Sequence, residues 1–470
     1  MAKRTQKKCA KKSSTRLKHQ DLHIINPYAG GIDVGSTEHY AALPAEAGVQ
    51  TVQCFGCTTP ELTRMALWFQ EHHVTTVAVE STGVYWVPVA HILEEHGIDV
   101  RLVDARNARN VPGRKTDVQD CQWLQELHSY GLLEAAFRPA PEIELVRTVW
   151  RQRAQLVAAC AQKILEMHKA LECMNLQLHK VITDVGGVTG MRIIRAMVRG
   201  ERDPQRLAAM RHPQCKNTEK AIEEALTGNW REDHVFLLTQ SLATYDFLHV
   251  QINECDAKVN TLLEHLSNKE RTDGPATSGK EKGCKRRNAP DKNILDLHRE
   301  LIRLTGVDLT KIEGIDASTA FTIISEQGID MSRFPSEKHF CSHMGLCPAN
   351  KISGGKRLSG RTRQVQSRAA KALRLAAQTM QRSDSALGAF YRRIRFRKGA
   401  GKAITATAHK LAKRLYWMIK HGEDYVLQGA ADYEKKYKEQ RIRQLIKQAD
   451  RMGYELVNTT TGEILELAVS

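Results

Sequence analysis

The sequence predicts an α/β domain built on a mixed sheet, joined to long helices and then to a compact, basic helical domain. Three observations lead there. Short β-branched runs alternate with helical segments over residues 28–140, and apolar residues in the middle recur at heptad spacing. Charge is also segregated: residues 28–140 carry 14 acids against seven bases, whereas 351–420 carry 19 Lys or Arg and one acid, Asp384. A merely solvated surface would mix the signs, so the basic segment reads as a binder of phosphate backbone.

Taken in order, residues 1–27 form a disordered basic arm, with eight Lys or Arg and no acid in the first twenty residues. The domain at 28–140 opens with Gly31-Ile32-Asp33-Val34-Gly35-Ser36, an apolar strand broken by a turn. Tyr40 to Leu43 and Val49 to Phe55 follow as antiparallel strands, because short turns separate them. A helix is expected from Glu61 to His72, a buried strand from Thr75 to Glu80, a helix from His91 to His96 and a strand from Val100 to Val103. Residues 141–266 are helical, a coiled-coil stalk with two seams. One runs through Ile164, Met167, Leu171, Met174 and Leu178; the other runs through Leu238, Leu242, Tyr245, Leu248, Ile252, Cys255, Val259, Leu262 and Leu266. A Gly-rich stretch at Asp184 to Gly190 and a mostly polar segment separate them. Residues 267–293 are a Gly-, Ser- and Lys-rich linker. Residues 294–428 form a compact helical domain, and 429–470 hold a charged helix (Tyr433 to Arg451) and a hairpin turning at Thr459 to Gly462.

Composition narrows the function. Lys plus Arg exceed Asp plus Glu by 70 to 53, a formal charge of +17, which calls for a polyanionic partner such as nucleic acid or an anionic membrane surface. No apolar stretch approaches the roughly 18 residues of a membrane span. The N-terminus lacks the apolar core of a secretory signal, so a cytoplasmic protein without a membrane partner is expected. The 11 cysteines, odd in number and irregular in spacing, read as reduced thiols. Cys54 and Cys57 form a CxxC with no second pair at zinc spacing.

Four acids stand out by position. Asp33 lies in the first strand and Glu80 ends an apolar one, where an unpaired acid is costly. Asp117 and Asp120 follow Arg114-Lys115-Thr116 and open a helix, sharing one face at i, i+3. Brought together, the four would repel one another unless cations neutralise them, and oxygen-seeking Mg²⁺ is the natural occupant. Paired metals clamp the attacking and leaving oxygens of a phosphodiester. Taken singly, each reads first as a surface acid, Asp117 as one favoured by the helix dipole, and that reading is weaker only for Asp33 and Glu80 inside apolar strands. Asp104, which also ends a strand, is a rival for membership.

The strings Gly31-Ile32-Asp33-Val34-Gly35-Ser36, Val79-Glu80-Ser81-Thr82-Gly83 and Lys115-Thr116-Asp117-Val118-Gln119-Asp120 resemble the DEDD transposases of bacterial insertion sequences. That group is related to the Piv invertases and has a RuvC-like N-terminal domain. The resemblance implies an RNase H-like fold for residues 28–140 and use of a divalent metal, Mg²⁺ or Mn²⁺. It assigns metal binding and catalysis to Asp33, Glu80, Asp117 and Asp120.

The basic domain carries Asn350-Lys351-Ile352-Ser353-Gly354-Gly355-Lys356-Arg357-Leu358-Ser359-Gly360-Arg361-Thr362-Arg363. A hydroxyl beside two glycines sits where backbone can approach a phosphate closely. Lys356, Arg357, Arg361 and Arg363 can stabilise phosphoryl-transfer charge, and Arg392, Arg393 and Arg395 extend the cationic surface. On residues alone the block is a phosphate-holding turn. The family resemblance makes Ser353 the nucleophile that forms a covalent phosphoserine link to DNA, with Ser359 as the rival. No Ser-His-Asp arrangement is evident, although His343 is close in sequence. Upstream, Leu309 to Ile315 with Thr319-Ala320 resembles a helix-hairpin-helix, in which hairpin amides grip phosphates; a purely structural hairpin is the alternative, because Asp316 replaces the second glycine.

The resemblance implies a transposase that mobilises an insertion element by strand cleavage and exchange between element ends and target DNA, guided by a bridge RNA. The place of action would be the bacterial cytoplasm, at the nucleoid, and the seams point to a homodimer or tetramer. The basic arm and the Lys-rich linker depart from the family's pattern. Two other classes compete: a metal-dependent RuvC-like nuclease in which Ser353 only holds phosphate, and a non-catalytic nucleic-acid-binding protein.

Overall fold

The computed structural model describes residues 23–45, 51–81, 83–103, 116–266, 289–363, 365–457, 462 and 464. Most of the basic arm and of the 267–293 linker, Asp104, the Arg114-Lys115 loop and nearly all of the expected terminal turn lie outside these residues. The chain divides into two units, Met1–Arg138 and Pro139–Ser470.

The first unit is a five-stranded mixed sheet in the order β3-β2-β1-β4-β5. Strands β1 (Ala29–Val34), β2 (Glu38–Ala42) and β3 (Val52–Gly56) form an antiparallel meander, and β4 (Thr76–Glu80) and β5 (Asp99–Val103) add in parallel beside β1. Helices α1 (Thr59–Glu71) and α2 (Trp86–Glu95) supply the crossovers that parallel pairing demands. Helix α2 starts five residues earlier than His91, because Pro88 falls in the first turn, where no intrahelical donor is needed. The sheet fits the RNase H-like expectation. Ile32, Val34, Val77 and Val79 alternate onto one face, where they pack with Leu62, Met65, Phe69, Val89 and Leu93. The other face of β1 carries Gly31 and Asp33 and receives helix α3 (Asp117–Ser129).

In the second unit, α4 (Pro141–Cys173) and α8 (Glu232–Glu264), each of 33 residues, pack antiparallel: Arg153 pairs with Asp256 and Ser241 reaches Glu166. Most of their buried positions keep heptad phase; on α4 it is the phase expected through Ile164, Met167 and Leu171, whereas on α8 the expected phase holds only as far as Ile252. On α4 they run Ile143, Val146, Trp150, Arg153, Cys160, Met167 and Leu171. The helix stops at Cys173, with Asn175 left-handed at φ 54°, so Met174 and Leu178 lie beyond it. On α8 the phase from Ile252 continues through Asp256, Val259 and Leu263, not through Cys255 and Leu262. The segment between is no polar connector. Helices α5 (Val188–Val198), α6 (Pro204–Ala209) and α7 (Glu219–Leu226) bury Ile193, Ile194, Met197, Leu207, Ile222 and Leu226 against the far ends of the long pair.

At the near end of the pair, Trp150 packs edge-on against Phe321, 4.8 Å between ring centroids, and donates to Thr322 Oγ1. These belong to a helical body of α9 (Leu297–Thr305), α10 (Ala317–Gln327), α11 (Glu337–His343), α12 (Arg368–Thr379), α13 (Ala386–Lys398), α14 (Ala400–His421) and α15 (Glu423–Arg451). Leu373, Ala376, Leu411 and Leu415 are core, as their spacing requires. Between α11 and α12 a two-stranded ribbon emerges, β6 (Lys351–Ser353) paired with β7 (Lys356–Ser359). No helix among the described residues is long and apolar enough to cross a membrane.

Candidate active site

The sheet and α3 bring the four acids into one electrostatic neighbourhood. Parallel pairing aligns Ile32 with Val79, and one step further along that register sets Asp33 beside Glu80 on neighbouring strands. Both side chains leave the face opposite the Ile32–Val79 core, toward α3. That helix begins at Asp117, with Thr116 accepting from the Gln119 N–H, so Asp117 and Asp120 occupy its first turn. Gly31 sets how closely the helix lies: a Cβ there would stand 2.4 Å from both the Cys121 carbonyl oxygen and the Gln125 nitrogen. Two polar staples hold the contact. Gln125 Nε2 donates to the Ala29 carbonyl at 3.0 Å, and His128 Nε2 lies 3.0 Å from Thr76 Oγ1.

The electrostatics record this convergence. Burial raises the Asp33 carboxyl from 3.8 to about 6, and the charges of Glu80, Asp117 and Asp120 add to it in that order, against a weaker lowering effect of the Val34 backbone. Like charges gathered round a half-buried carboxylate are the arrangement a cation relieves. As the side chains stand, no three His, Cys, Asp or Glu residues among the described ones are grouped closely enough to hold a metal ion. The acids therefore share an electrostatic neighbourhood without closing on a ligand set. The donor chemistry, all carboxylate oxygen with excess negative charge, fits a hard divalent cation.

In the second unit, Ser353 is the last residue of β6 and lies opposite Lys356 across a two-residue turn. Gly354 at φ 55° and Gly355 at φ 73° are both left-handed, which a type I′ hairpin requires at both positions. The geometry sets Lys356 on the same face as Ser353, within cross-strand reach. Ser353, Lys356 and Arg361 are exposed. Ser359 differs, since its Oγ accepts from the Arg361 N–H at 3.3 Å and is only half exposed. Arg363 donates to the Ser342 carbonyl at 3.1 Å, tying the ribbon's base to α11. His343 packs against Phe334, and its pKa is lowered by burial and then by Arg363, so the ring is neutral near pH 7.

The remaining candidates divide. Arg393 and Arg395 are exposed on α13, whereas Arg392 is half-buried and donates to the carbonyls of Gln381 and Ser383. The turn read as helix-hairpin-helix is packed within the body. A Cβ at Gly314 would meet Met380 and the Ala376 carbonyl, Glu313 accepts from the hydroxyls of Ser383 and Ser385, and Asp316 caps α10. Sequence reasoning missed Gly31, Gln125 and His128, which position α3. The one signal for them was the run of small residues Ala29-Gly30-Gly31 ahead of the first acid.

Residues 30–175 match a family model described as a transposase, the DEDD type of IS110 elements. Residues 308–392 match a second, described as the transposase IS116/IS110/IS902 family. No curated protein matches the chain.

Proposed function

Because the chain belongs to the IS110-type DEDD transposases, we propose that it moves an insertion element by a covalent route, with Asp33, Glu80, Asp117 and Asp120 holding divalent metal and Ser353 attacking DNA. The observation that supports the metal site is the placement of Asp33 beside Glu80 in the sheet register, with Asp117 and Asp120 in the first turn of the helix that covers that face and their charges raising the Asp33 carboxyl. A divalent cation, Mg²⁺ or Mn²⁺, would neutralise these carboxylates and draw charge from a bound phosphodiester. The sheet fixes the backbone of Asp33 and Glu80 and α3 that of Asp117 and Asp120, so a cation would need only their side chains to draw together around it.

Ser353 Oγ would form a new bond to phosphorus as the DNA P–O bond breaks, and the serine proton ends on the departing hydroxyl. Lys356 would hold the charge that builds on the phosphoryl oxygens, with Arg357, Arg361 and Arg363 around the ribbon and Arg393 and Arg395 binding flanking backbone. The two left-handed glycines keep side chains away from the turn, so DNA can approach the hydroxyl. The long helix pair is read as a coiled-coil arm. Exposed Phe236, Phe247 and Val250 on α8 support its use in a homodimer or tetramer. Guidance by a bridge RNA, at the nucleoid, completes the reading.

The decisive experiment is denaturing electrophoresis with labelled element-end DNA. Wild type should yield a protein–DNA adduct that survives boiling, Ser353→Ala should yield none, and Ser359→Ala should retain it. Cleavage by Ser353→Ala at the wild-type rate would replace the covalent route with metal-only hydrolysis, leaving Ser353 as a phosphate holder.

A further inference from the structure

Phe396 lies in the last turn of α13 and is 94% exposed, the most exposed large apolar side chain described. Its neighbours along the chain are cationic. Residues 385–422 contain ten Lys or Arg and no acid. Arg393 shares a helix face with Phe396 at i, i+3, and Arg395, Arg397 and Lys398 surround it. The chain then turns at Gly399 into α14, so the ring stands at the outside of a helix–helix corner. The helix dipole accounts for cations in a last turn, but it gives no reason for a bare aromatic ring among them.

Phe390, six residues earlier, shows the contrasting case. It is partly buried and held by Lys410, 3.9 Å from its ring centroid, and by Arg393 at 5.8 Å. Its cation–π contacts are made within the fold. An aromatic face flanked by phosphate-binding side chains is the pairing that single-stranded nucleic-acid sites use, with the ring stacking on a base and the cations tracking the backbone. An apolar side chain at such a corner can also wedge into a base step that has been opened.

We infer that the α13–α14 corner is a DNA-binding element in which Phe396 stacks on an unpaired base of the substrate, while Arg393, Arg395 and Arg397 hold the adjoining phosphates. This rests on the reading that the protein acts on DNA, and it adds a contact specific for opened DNA. Strand exchange creates unpaired bases, so a stacking residue would favour the opened form over the intact duplex.

The test uses the full-length protein with two DNA probes, a duplex and the same duplex carrying a short central bubble with 2-aminopurine in it. Wild type should prefer the bubble and quench the 2-aminopurine. Phe396→Ala should lose about tenfold of bubble affinity, keep its duplex affinity and leave the fluorophore unquenched; Phe396→Trp should restore both. Because the side chain is exposed, these variants should melt as wild type does. Arg393→Gln with Arg395→Gln should weaken both probes and flatten the salt dependence. The inference is overturned if Phe396→Ala retains the preference and the quenching, or weakens duplex and bubble equally. It is also overturned if the substitution alters only the mass measured by light scattering, which would make the corner a contact between copies, or only the binding of single-stranded RNA. Failure of wild type to bind either DNA would instead remove the broader reading.

Discussion

Replacing Asp33 with Asn should make the metal-free protein more stable, and the metal-loaded protein less responsive to its ion. Burial, with the charges of the other three acids, raises the Asp33 carboxyl from 3.8 to about 6. At about 1.4 kcal/mol per unit, keeping this carboxylate ionised costs up to about 3 kcal/mol. The folded state binds the proton more tightly than the unfolded state. The cost is therefore absent in strong acid, grows as pH rises from 3.8 toward 6 and stands in full above that. The figure is a ceiling, because the side chain is only partly buried. Asn keeps the shape and removes the charge, so at pH 7.5 in EDTA the variant should melt several degrees above wild type. At pH 5 the advantage should shrink to about half. Added Mg²⁺ or Mn²⁺ should reverse the order, since a ligand at a hundredfold its Kd stabilises by about 2.7 kcal/mol and the variant lacks one donor. Thermal unfolding across pH, with and without metal, reads all three effects. An Asn variant that melts below wild type in EDTA at pH 7.5, or that gains as much from metal as wild type does, would refute the shared-carboxylate argument.

Two further outcomes test the scaffold. Gly31→Ala forces a methyl into backbone atoms of α3 at 2.4 Å, so it should destabilise the first unit by about 1–3 kcal/mol and abolish DNA cleavage even below its melting temperature; circular dichroism with a cleavage assay checks both. Arg153→Leu strands the buried Asp256, whose carboxyl burial already pushes upward against the opposing pull of Arg153, and should cost about 3–5 kcal/mol in chemical denaturation. Adding Asp256→Leu should recover most of that loss.

Much of the first unit was legible because its strands are short apolar runs punctuated by turns, and because acids inside such runs are rare enough to notice. Asp33 and Glu80 could be chosen for that reason, and Asp117 and Asp120 because they open a helical run after Arg114-Lys115-Thr116 and share one face at i, i+3. What the sequence concealed was contact. Nothing local announces that Gly31 must be small because Cys121 and Gln125, ninety residues away, lie against it. On α8 the phase was misjudged because a search for apolar residues passes over Asp256, which occupies a core position only through its partner on α4. Helices α5 to α7 were missed because six to eleven residues give too few turns for periodicity to stand out. Ser353 could be named from the family resemblance, but its place at a hairpin tip depends on the paired positive φ angles of Gly354 and Gly355.

The antiparallel helix pair is also a ruler. Its two strands of chain meet again at the far end, where the Asn229 N–H donates to the Met174 carbonyl at 2.8 Å and the Gln177 N–H to that of Ala225. A matched insertion of seven residues in α4 and α8 would carry that end cap outward by about 10 Å and turn it by only about 20°. An unmatched single residue would rotate one helix by about 100° and turn its apolar seam away from its neighbour. Viable lengths of such a helix pair are therefore spaced in whole heptads, with the Arg153–Asp256 ion pair as the fixed mark from which they are counted.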